Sequence, residues 1–180
     1  AQSLLGINYF NYQNPEDNNG DGFTDVTLQD RVSFFNKWSF DRAENRVFTL
    51  AGRYVYEDRW GGEMRWTPEY RGGDQVYGES IYTSRWEMLG VYQLPVKEII
   101  NFQFSTNGHR QNSYYGTTSY NADQYIGFGQ LTWNKQVGTR HDLLLGAAYR
   151  FTYYDDNTGA TSGIEGENHP SVTNLPGLFV

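Results

Sequence analysis

A short loop near the start of the chain carries the oxygen side chains that a hard cation would need. Asp17, Asn19, Asp21 and Asp25 are spaced around glycines that permit a sharp turn. This spacing matches the first half of the EF-hand calcium pattern, but Leu28 stands where the bidentate Glu should be. A helix–loop–helix site is therefore excluded. Two interpretations stay open: a calcium loop between two strands, or an Asn-, Asp- and Gly-rich turn without a metal.

Under the calcium interpretation, several carboxylates crowded into one turn repel one another, so a divalent cation should order the loop. Calcium takes about six to eight oxygen ligands, more than this loop can supply. We expect a neighbouring loop to complete the shell, with Glu63, Glu69 or Asp74 as candidates. A set of oxygen ligands alone should bind zinc or copper poorly.

A second loop, residues 60–74, is rich in aromatic and charged side chains. Such a composition suits a surface that contacts a ligand. A loop packed on itself would have the same composition, so both interpretations stay open. The candidate ligand-contacting residues are Trp60, Arg65, Trp66, Tyr70 and Arg71.

No pattern of catalytic residues accompanies these loops. The three histidines, His109, His141 and His169, have unrelated spacings and are expected in loops and a turn. The sequence has no Gly-x-Ser-x-Gly, phosphate-loop or His-Glu-x-x-His motif, which predicts that the protein is not an enzyme. The chain has no cysteine, a net charge of -7 and no basic cluster, so neither a disulfide scaffold nor nucleic-acid binding is indicated.

The elements that must position the two loops are strands, because apolar residues recur at every second position. The clearest case is a hairpin in which Trp86, Met88 and Tyr92 precede a turn at 95–98, and Ile100 and Phe102 follow it. A long loop is expected at 107–123. The predicted strands cover 4–12, 26–38, 48–57, 80–94, 100–105, 124–135 and 143–153, and an eighth starts at Leu175.

Two further patterns favour an all-β, antiparallel transmembrane β-barrel over a soluble sandwich. Strand 80–94 exceeds the roughly nine to eleven residues that cross a membrane, and long and short connections alternate along the chain. Charged residues fall on the face opposite the apolar one, which water in a lumen would solvate: Arg31, Arg53, Arg85, Glu87 and Arg150. Two aromatic girdles are predicted, one with Trp38, Tyr92 and Trp133 and the other with Tyr9, Tyr56, Tyr82 and Tyr153.

The sequence resembles the TonB-dependent outer-membrane receptors of Gram-negative bacteria, in particular the cobalamin and iron-siderophore receptors. The similar runs are NNGDGFTDVTLQDRVSFFNKW, YEDRWGGEMRWTPEYRGGD and YGESIYTSRWEMLGVYQLP. The resemblance implies a barrel of about twenty-two strands, closed by an N-terminal plug. It also implies calcium in an extracellular loop, because cobalamin receptors carry it beside a run similar to Asp21-Gly22-Phe23, with Asn19 at a neighbouring ligand position.

We therefore expect residues 1–180 to be a partial barrel domain of about seven full strands and the start of another. The N-terminus has no signal-peptide pattern and the C-terminus stops within an apolar run, so both ends look cut from a longer protein. On this interpretation, the plug, the segment that contacts TonB and the remaining strands are expected to lie outside residues 1–180. The fragment alone should not transport anything.

The expected function is energised uptake of a scarce nutrient across the outer membrane of a Gram-negative cell. Expected partners are outer-membrane lipid, the nutrient, and TonB through the missing plug segment. The resemblance favours cobalamin, then a siderophore, then haem. Two alternatives stay open: a general porin or structural barrel, and a soluble, secreted calcium-binding β-protein.

Overall fold

The computed structural model describes residues 1–163 and 166–180, and its strands form one antiparallel sheet. The sheet has eight strands whose spatial order is their order in the chain. Three single-turn 3-10 helices lie in the connections, at Ala43–Asn45, Pro68–Tyr70 and Gly159–Thr161. The strands are β1 (Gln2–Tyr12), β2 (Leu28–Ser39), β3 (Phe48–Gly62), β4 (Gly78–Gln93), β5 (Ile99–Tyr115), β6 (Thr118–Val137), β7 (His141–Asp156) and β8 (Ser171–Phe179).

One face of this sheet, here called the apolar face, is free of charge over four successive cross-strand rows. Residues paired directly across antiparallel strands point to the same side of the sheet, so the register identifies the members of each row. One row runs through Ile7, Phe34, Tyr54, Trp86, Gly108, Tyr125, Tyr153 and Val172. The next three rows contain Leu5, Trp38 and Phe48, respectively, and none of the four includes Asp, Glu, Lys or Arg.

The opposite face, here called the polar face, carries charge in the rows that alternate with these. Arg53 lies directly across from Glu87, with 3.8 Å between Nη1 and Oε2, and Arg85 Nη2 lies 2.6 Å from Glu87 Oε1. Arg31 pairs with Glu57 at 3.8 Å. Arg150 lies on this face too, as the alternation predicts.

The sheet has almost no core of its own. Among the described residues, the buried hydrophobic side chains are Leu28, Ala51, Trp66 and Val76. Large apolar side chains of the apolar face are exposed instead, with Ile7 at 69% and Val172 at 54% of full exposure. Because folded chains normally bury such a surface, the apolar face needs a partner, whether lipid or protein.

The prediction of a long loop at 107–123 is wrong. β5 and β6 continue through this region and pair from Ile99↔Asn134 up to Tyr115↔Thr118. The connection is a tight turn at Gly116 and Thr117, where Gly116 has the left-handed φ of 58° that glycine adopts readily. His109 therefore lies in a strand and not in a loop.

Other strand boundaries differ from the predicted ones by fewer residues. β2 begins at Leu28, so Val26 precedes the strand, and β3 extends through Trp60 to Gly62. β8 begins at Ser171, inside the predicted loop 155–174. Long connections at 13–27, 63–77 and 157–170 remain at one end of the sheet, with shorter ones at the other.

The all-β prediction is confirmed, as is the expected antiparallel arrangement with about eight strands. β1 and β8 form the two edges and do not pair with each other in the described residues, so the sheet is open. No described helix is long and apolar enough to cross a membrane.

Candidate functional site

The two loops singled out in the sequence, residues 13–27 and 63–77, contact each other and are here called the loop pair. Phe23 and Glu63 form an antiparallel β-bridge between them. The Met64 N–H donates to the Gly22 carbonyl at 2.9 Å, and the Thr24 N–H donates to the Gly62 carbonyl at 2.8 Å. The bridge thus extends the β2–β3 pairing into the loops and holds them together.

Asp17 organises the first loop through both of its carboxylate oxygens. Oδ1 accepts hydrogen bonds from the N–H groups of Gly20 at 2.7 Å and Asp21 at 3.2 Å. Oδ2 accepts one from the Gly22 N–H at 2.9 Å. The N–H groups of such a turn have no backbone carbonyl to bond to, and the carboxylate of Asp17 accepts their hydrogen bonds instead.

The other three predicted calcium ligands also make hydrogen bonds within the loop. Asn19 Nδ2 donates to Asp21 Oδ2 at 3.1 Å, and Asp21 Oδ1 accepts from the Phe23 N–H at 2.9 Å. Asp25 Oδ2 accepts from the Asn18 N–H at 2.6 Å. Among the described residues, no three His, Cys, Asp or Glu side chains are grouped so as to hold a metal ion. The carboxylates are therefore arranged around the loop N–H groups, and calcium binding would require them to converge on one point.

Arg71 fixes the second loop to the sheet. Its guanidinium carbon lies 4.3 Å from the ring centroid of Tyr82 and 4.6 Å from that of Tyr114. Nε donates to Ser80 Oγ at 2.7 Å, and Nη2 donates to Asn112 Oδ1 at 2.6 Å. Two aromatic faces and these acceptors surround the cation, so β4 and β5 hold it firmly.

Trp66 also packs within the second loop. It is 8% exposed, and Val76, in the same loop, is 3% exposed. The indole ring lies against Gly78, where an added Cβ would overlap it. Tyr70 is half-buried at the end of the 3-10 helix Pro68–Tyr70. Of the five candidate ligand-contacting residues, Trp66 and Arg71 are thus engaged by the protein itself.

Exposed Arg65 and half-buried Glu63 form an ion pair at the junction of the loops. Arg65 Nε lies 3.1 Å from Glu63 Oε2, and the Tyr77 N–H donates to Glu63 Oε1 at 2.8 Å. The hydrogen bond from Tyr77, with help from Arg65, holds the pKa of Glu63 below its usual value. Of the three acids proposed to complete a calcium shell, Glu63 is joined to the first loop by the β-bridge, whereas Glu69 and Asp74 are exposed in the second.

A cleft of about 300 Å³ opens between the loop pair and the ends of β3 and β4. Trp60, the remaining candidate residue, contributes to its wall. The cleft offers a polar ligand the guanidinium of Arg59, the carboxylate of Glu79 and three hydroxyl groups. The hydroxyl groups belong to Thr24, Thr27 and Tyr77, and Trp60 and Ile81 complete the side-chain lining.

Sequence reasoning missed three residues that shape this region. Phe23 forms the bridge, while Ser80 and Tyr114 hold Arg71 from two different strands. The sequence pattern predicts a loop at Tyr114, and the contact of Tyr114 with Arg71 depends on strand register. Local sequence therefore carried no signal for it.

Comparison with known proteins identifies no relative. No protein-family model matches the chain, and neither the curated proteins nor the solved structures include a significant match. The function must therefore be argued from the geometry of the sheet and the loop pair.

Proposed function

We propose that this chain is part of an outer-membrane β-barrel receptor that takes up a scarce nutrient with energy supplied through TonB. The observation that carries the proposal is the apolar face. Three of its uncharged rows cross all eight strands, the Phe48 row crosses β3 to β8, and many of their large apolar side chains are exposed. A soluble sandwich would cover such a face with a second layer. Lipid covers it in a membrane barrel.

The dimensions of the apolar face support this proposal. Rows two residues apart are separated by about 7 Å along a strand, so four rows span about 20 Å between their end members. Barrel strands tilt by roughly 35–45°, so the four rows cover about 15 Å of the roughly 25 Å apolar band, and the side chains that flank them would cover the rest. Strands such as β4 and β5 are 16 and 17 residues long and so extend beyond that band.

The polar face supports a water-filled or plugged interior. Arg31, Arg53 and Arg85 each lie beside Glu57 or Glu87, so their charges are paired and can also be hydrated. At the middle of a bilayer, an Arg facing lipid would cost a barrel about 2–4 kcal/mol. Under this proposal the aromatic residues of the apolar face at its two ends form the interfacial girdles.

Receptor function is supported by the loop pair and the cleft beside it. A receptor needs a binding surface at one end of the barrel, and the three long connections lie together at one end of this sheet. We assign initial nutrient contact to this end, with cobalamin first, then an iron-siderophore, then haem. The candidate positions for contact are Trp60, Tyr70 and Arg65, whose pair with Glu63 is 70% exposed on the Arg65 side, because Trp66 and Arg71 hold the loop.

The membrane proposal is tested by locating the protein expressed from its own start codon in a Gram-negative host. We expect it in the outer-membrane fraction, extractable only with detergent. A freely soluble monomer would contradict the barrel and favour a secreted β-protein.

The receptor proposal is tested by uptake of labelled cobalamin, ferric siderophore and haem in cells with and without TonB. Saturable uptake of one ligand that is lost without TonB is the expected result. Passive uptake that is independent of TonB and unsaturable would instead identify a general porin.

We further propose that the first loop binds calcium through Asp17, Asn19, Asp21 and Asp25. The support is the number of oxygen ligands in one turn and the nearby Glu63. Calorimetric titration of the full-length protein should show saturable calcium binding that Asp21→Ala abolishes. Asp142→Ala, which removes an exposed acid at the start of β7, is the control and should bind as the parent does. Equal binding by Asp21→Ala would exclude this site.

A further inference from the structure

The chain contains two Asn–Gly dipeptides, Asn19–Gly20 and Asn107–Gly108. In such a dipeptide the backbone nitrogen of Gly can attack Cγ of the preceding Asn. The new N–Cγ bond closes a five-membered succinimide, the Cγ–Nδ2 bond breaks, and the nitrogen leaves as ammonia with the amide proton. Water then opens the ring to Asp or isoaspartate. The reaction consumes only water and needs no oxidant or enzyme.

Asn107–Gly108 is held in a conformation that prevents this attack. Both residues lie inside β5 and are paired on both sides, with Asn107 opposite Glu87 and Ile126. The ring of Trp86 covers Gly108 so closely that an added Cβ would overlap it. Ring closure requires rotation about the backbone bonds between the two residues, and the sheet forbids that rotation.

Asn19–Gly20 lies in an exposed loop and has no such restraint from a strand. A Cβ built on Gly20 would find nothing within 4 Å. The restraint comes from Asp17, whose Oδ1 accepts the Gly20 N–H at 2.7 Å. The same carboxylate accepts the N–H groups of Asp21 and Gly22.

We infer that Asn19 is a site of spontaneous deamidation and that the carboxylate of Asp17 slows the reaction. The Gly20 nitrogen must lose its proton to attack, and a negative charge hydrogen-bonded to that proton opposes the loss. The hydrogen bond also directs the nitrogen toward Asp17 and away from Cγ of Asn19. In addition, Asn19 Oδ1 accepts the Asp21 N–H at 3.0 Å, which turns the carboxamide toward residue 21.

Deamidation at Asn19 would change the charge of the loop. It replaces a neutral amide by a fourth carboxylate beside Asp17, Asp21 and Asp25. An isoaspartate would also lengthen the backbone by one atom and break the hydrogen bonds that Asp17 makes to the turn. The inference rests on these contacts alone and does not depend on the proposed receptor function.

The test follows deamidation by peptide mass spectrometry in the full-length protein, kept in mildly alkaline buffer with a chelator. The free peptide of residues 14–27 gives the unrestrained rate at Asn19, and Asn107 gives an internal control. In the parent protein, we expect Asn19 to deamidate more slowly than in the peptide, with Asn107 unchanged. Asp17→Ala should raise the rate at Asn19 by roughly tenfold, the factor that corresponds to losing one hydrogen bond to a charged group.

A matched variant separates this mechanism from general loosening of the loop. Asp25→Ala removes another carboxylate of the same loop, one that accepts the Asn18 N–H and not the Gly20 N–H. It should leave the rate at Asn19 within about twofold of the parent. An Asp25→Ala rate as high as that of Asp17→Ala would overturn the inference. So would a parent protein that deamidates at the rate of the free peptide, or an Asp17→Ala rate equal to the parent's.

Discussion

Arg71 shows how one side chain can determine the position of a long loop. Replacing it by Ala removes two cation–π contacts and the hydrogen bonds to Ser80 and Asn112. We expect Arg71→Ala to lower the local stability of residues 63–77 by about 1–3 kcal/mol. Hydrogen exchange of peptides from this loop measures the change. Arg65→Ala is the matched control, since Arg65 is 70% exposed and its loss should cost less than about 0.5 kcal/mol. Equal exchange in the two variants would contradict the role given to Arg71.

Glu63 makes the same loop sensitive to pH. Its pKa in the folded state is lowered, so the ionised form is favoured by folding. The stabilisation is therefore fully present above the ordinary Glu pKa of about 4.3 and is lost as pH falls through the lower folded value. We expect protection of the Tyr77 amide against hydrogen exchange to fall over this acidic range. Glu63→Gln should remove the pH dependence, and its persistence in that variant would assign it to another group.

Within the strands, two glycines of the apolar face differ in the space beside them: a side chain fills it at Gly108, and it is empty at Gly127. An added Cβ at Gly108 would overlap the ring of Trp86 across the β4–β5 pair, whereas at Gly127 it would find nothing within 4 Å. Gly108→Ala should therefore destabilise the protein by about 1–3 kcal/mol through overpacking. Gly127→Ala should be neutral or slightly stabilising, because alanine is less flexible than glycine in a strand. Denaturant unfolding in detergent or lipid measures the free energy of unfolding of both variants. An equal decrease in the two would argue against the packing of Trp86 on Gly108.

Period-two alternation predicted most of the sheet, including which residues share a face in β3, β4, β5 and β7. It failed at residues 107–123, where Asn, Gln, Ser and Thr predominate and leave no aliphatic residue larger than Ala122 to mark the period. There the strands persist because β5 pairs with neighbours on both sides. The loop pair was recognised by composition. Its bridge between Phe23 and Glu63 was not, because that contact depends on a register fixed by two distant strands.

At the scale of the whole molecule, the account depends on what covers the apolar face. Four uncharged rows on an open sheet with few buried apolar residues are explained if lipid lies against them. Neighbouring residues of β3 test this, because Tyr54 belongs to the apolar face and Val55 to the polar one. The two positions lie at nearly the same depth, so they differ only in the side of the sheet on which they lie.

The most direct measurement is a nitroxide scan of residues 52–57 in the protein reconstituted into lipid vesicles. The chain has no native cysteine, so single cysteines introduced here can be labelled one at a time. Oxygen concentrates in lipid and a nickel chelate stays in water, so their ratio of access reports the environment. The account predicts a high oxygen-to-nickel ratio at 52, 54 and 56 and a low one at 53, 55 and 57. No alternation, or equal nickel access at positions 54 and 55, would contradict a lipid-facing apolar face.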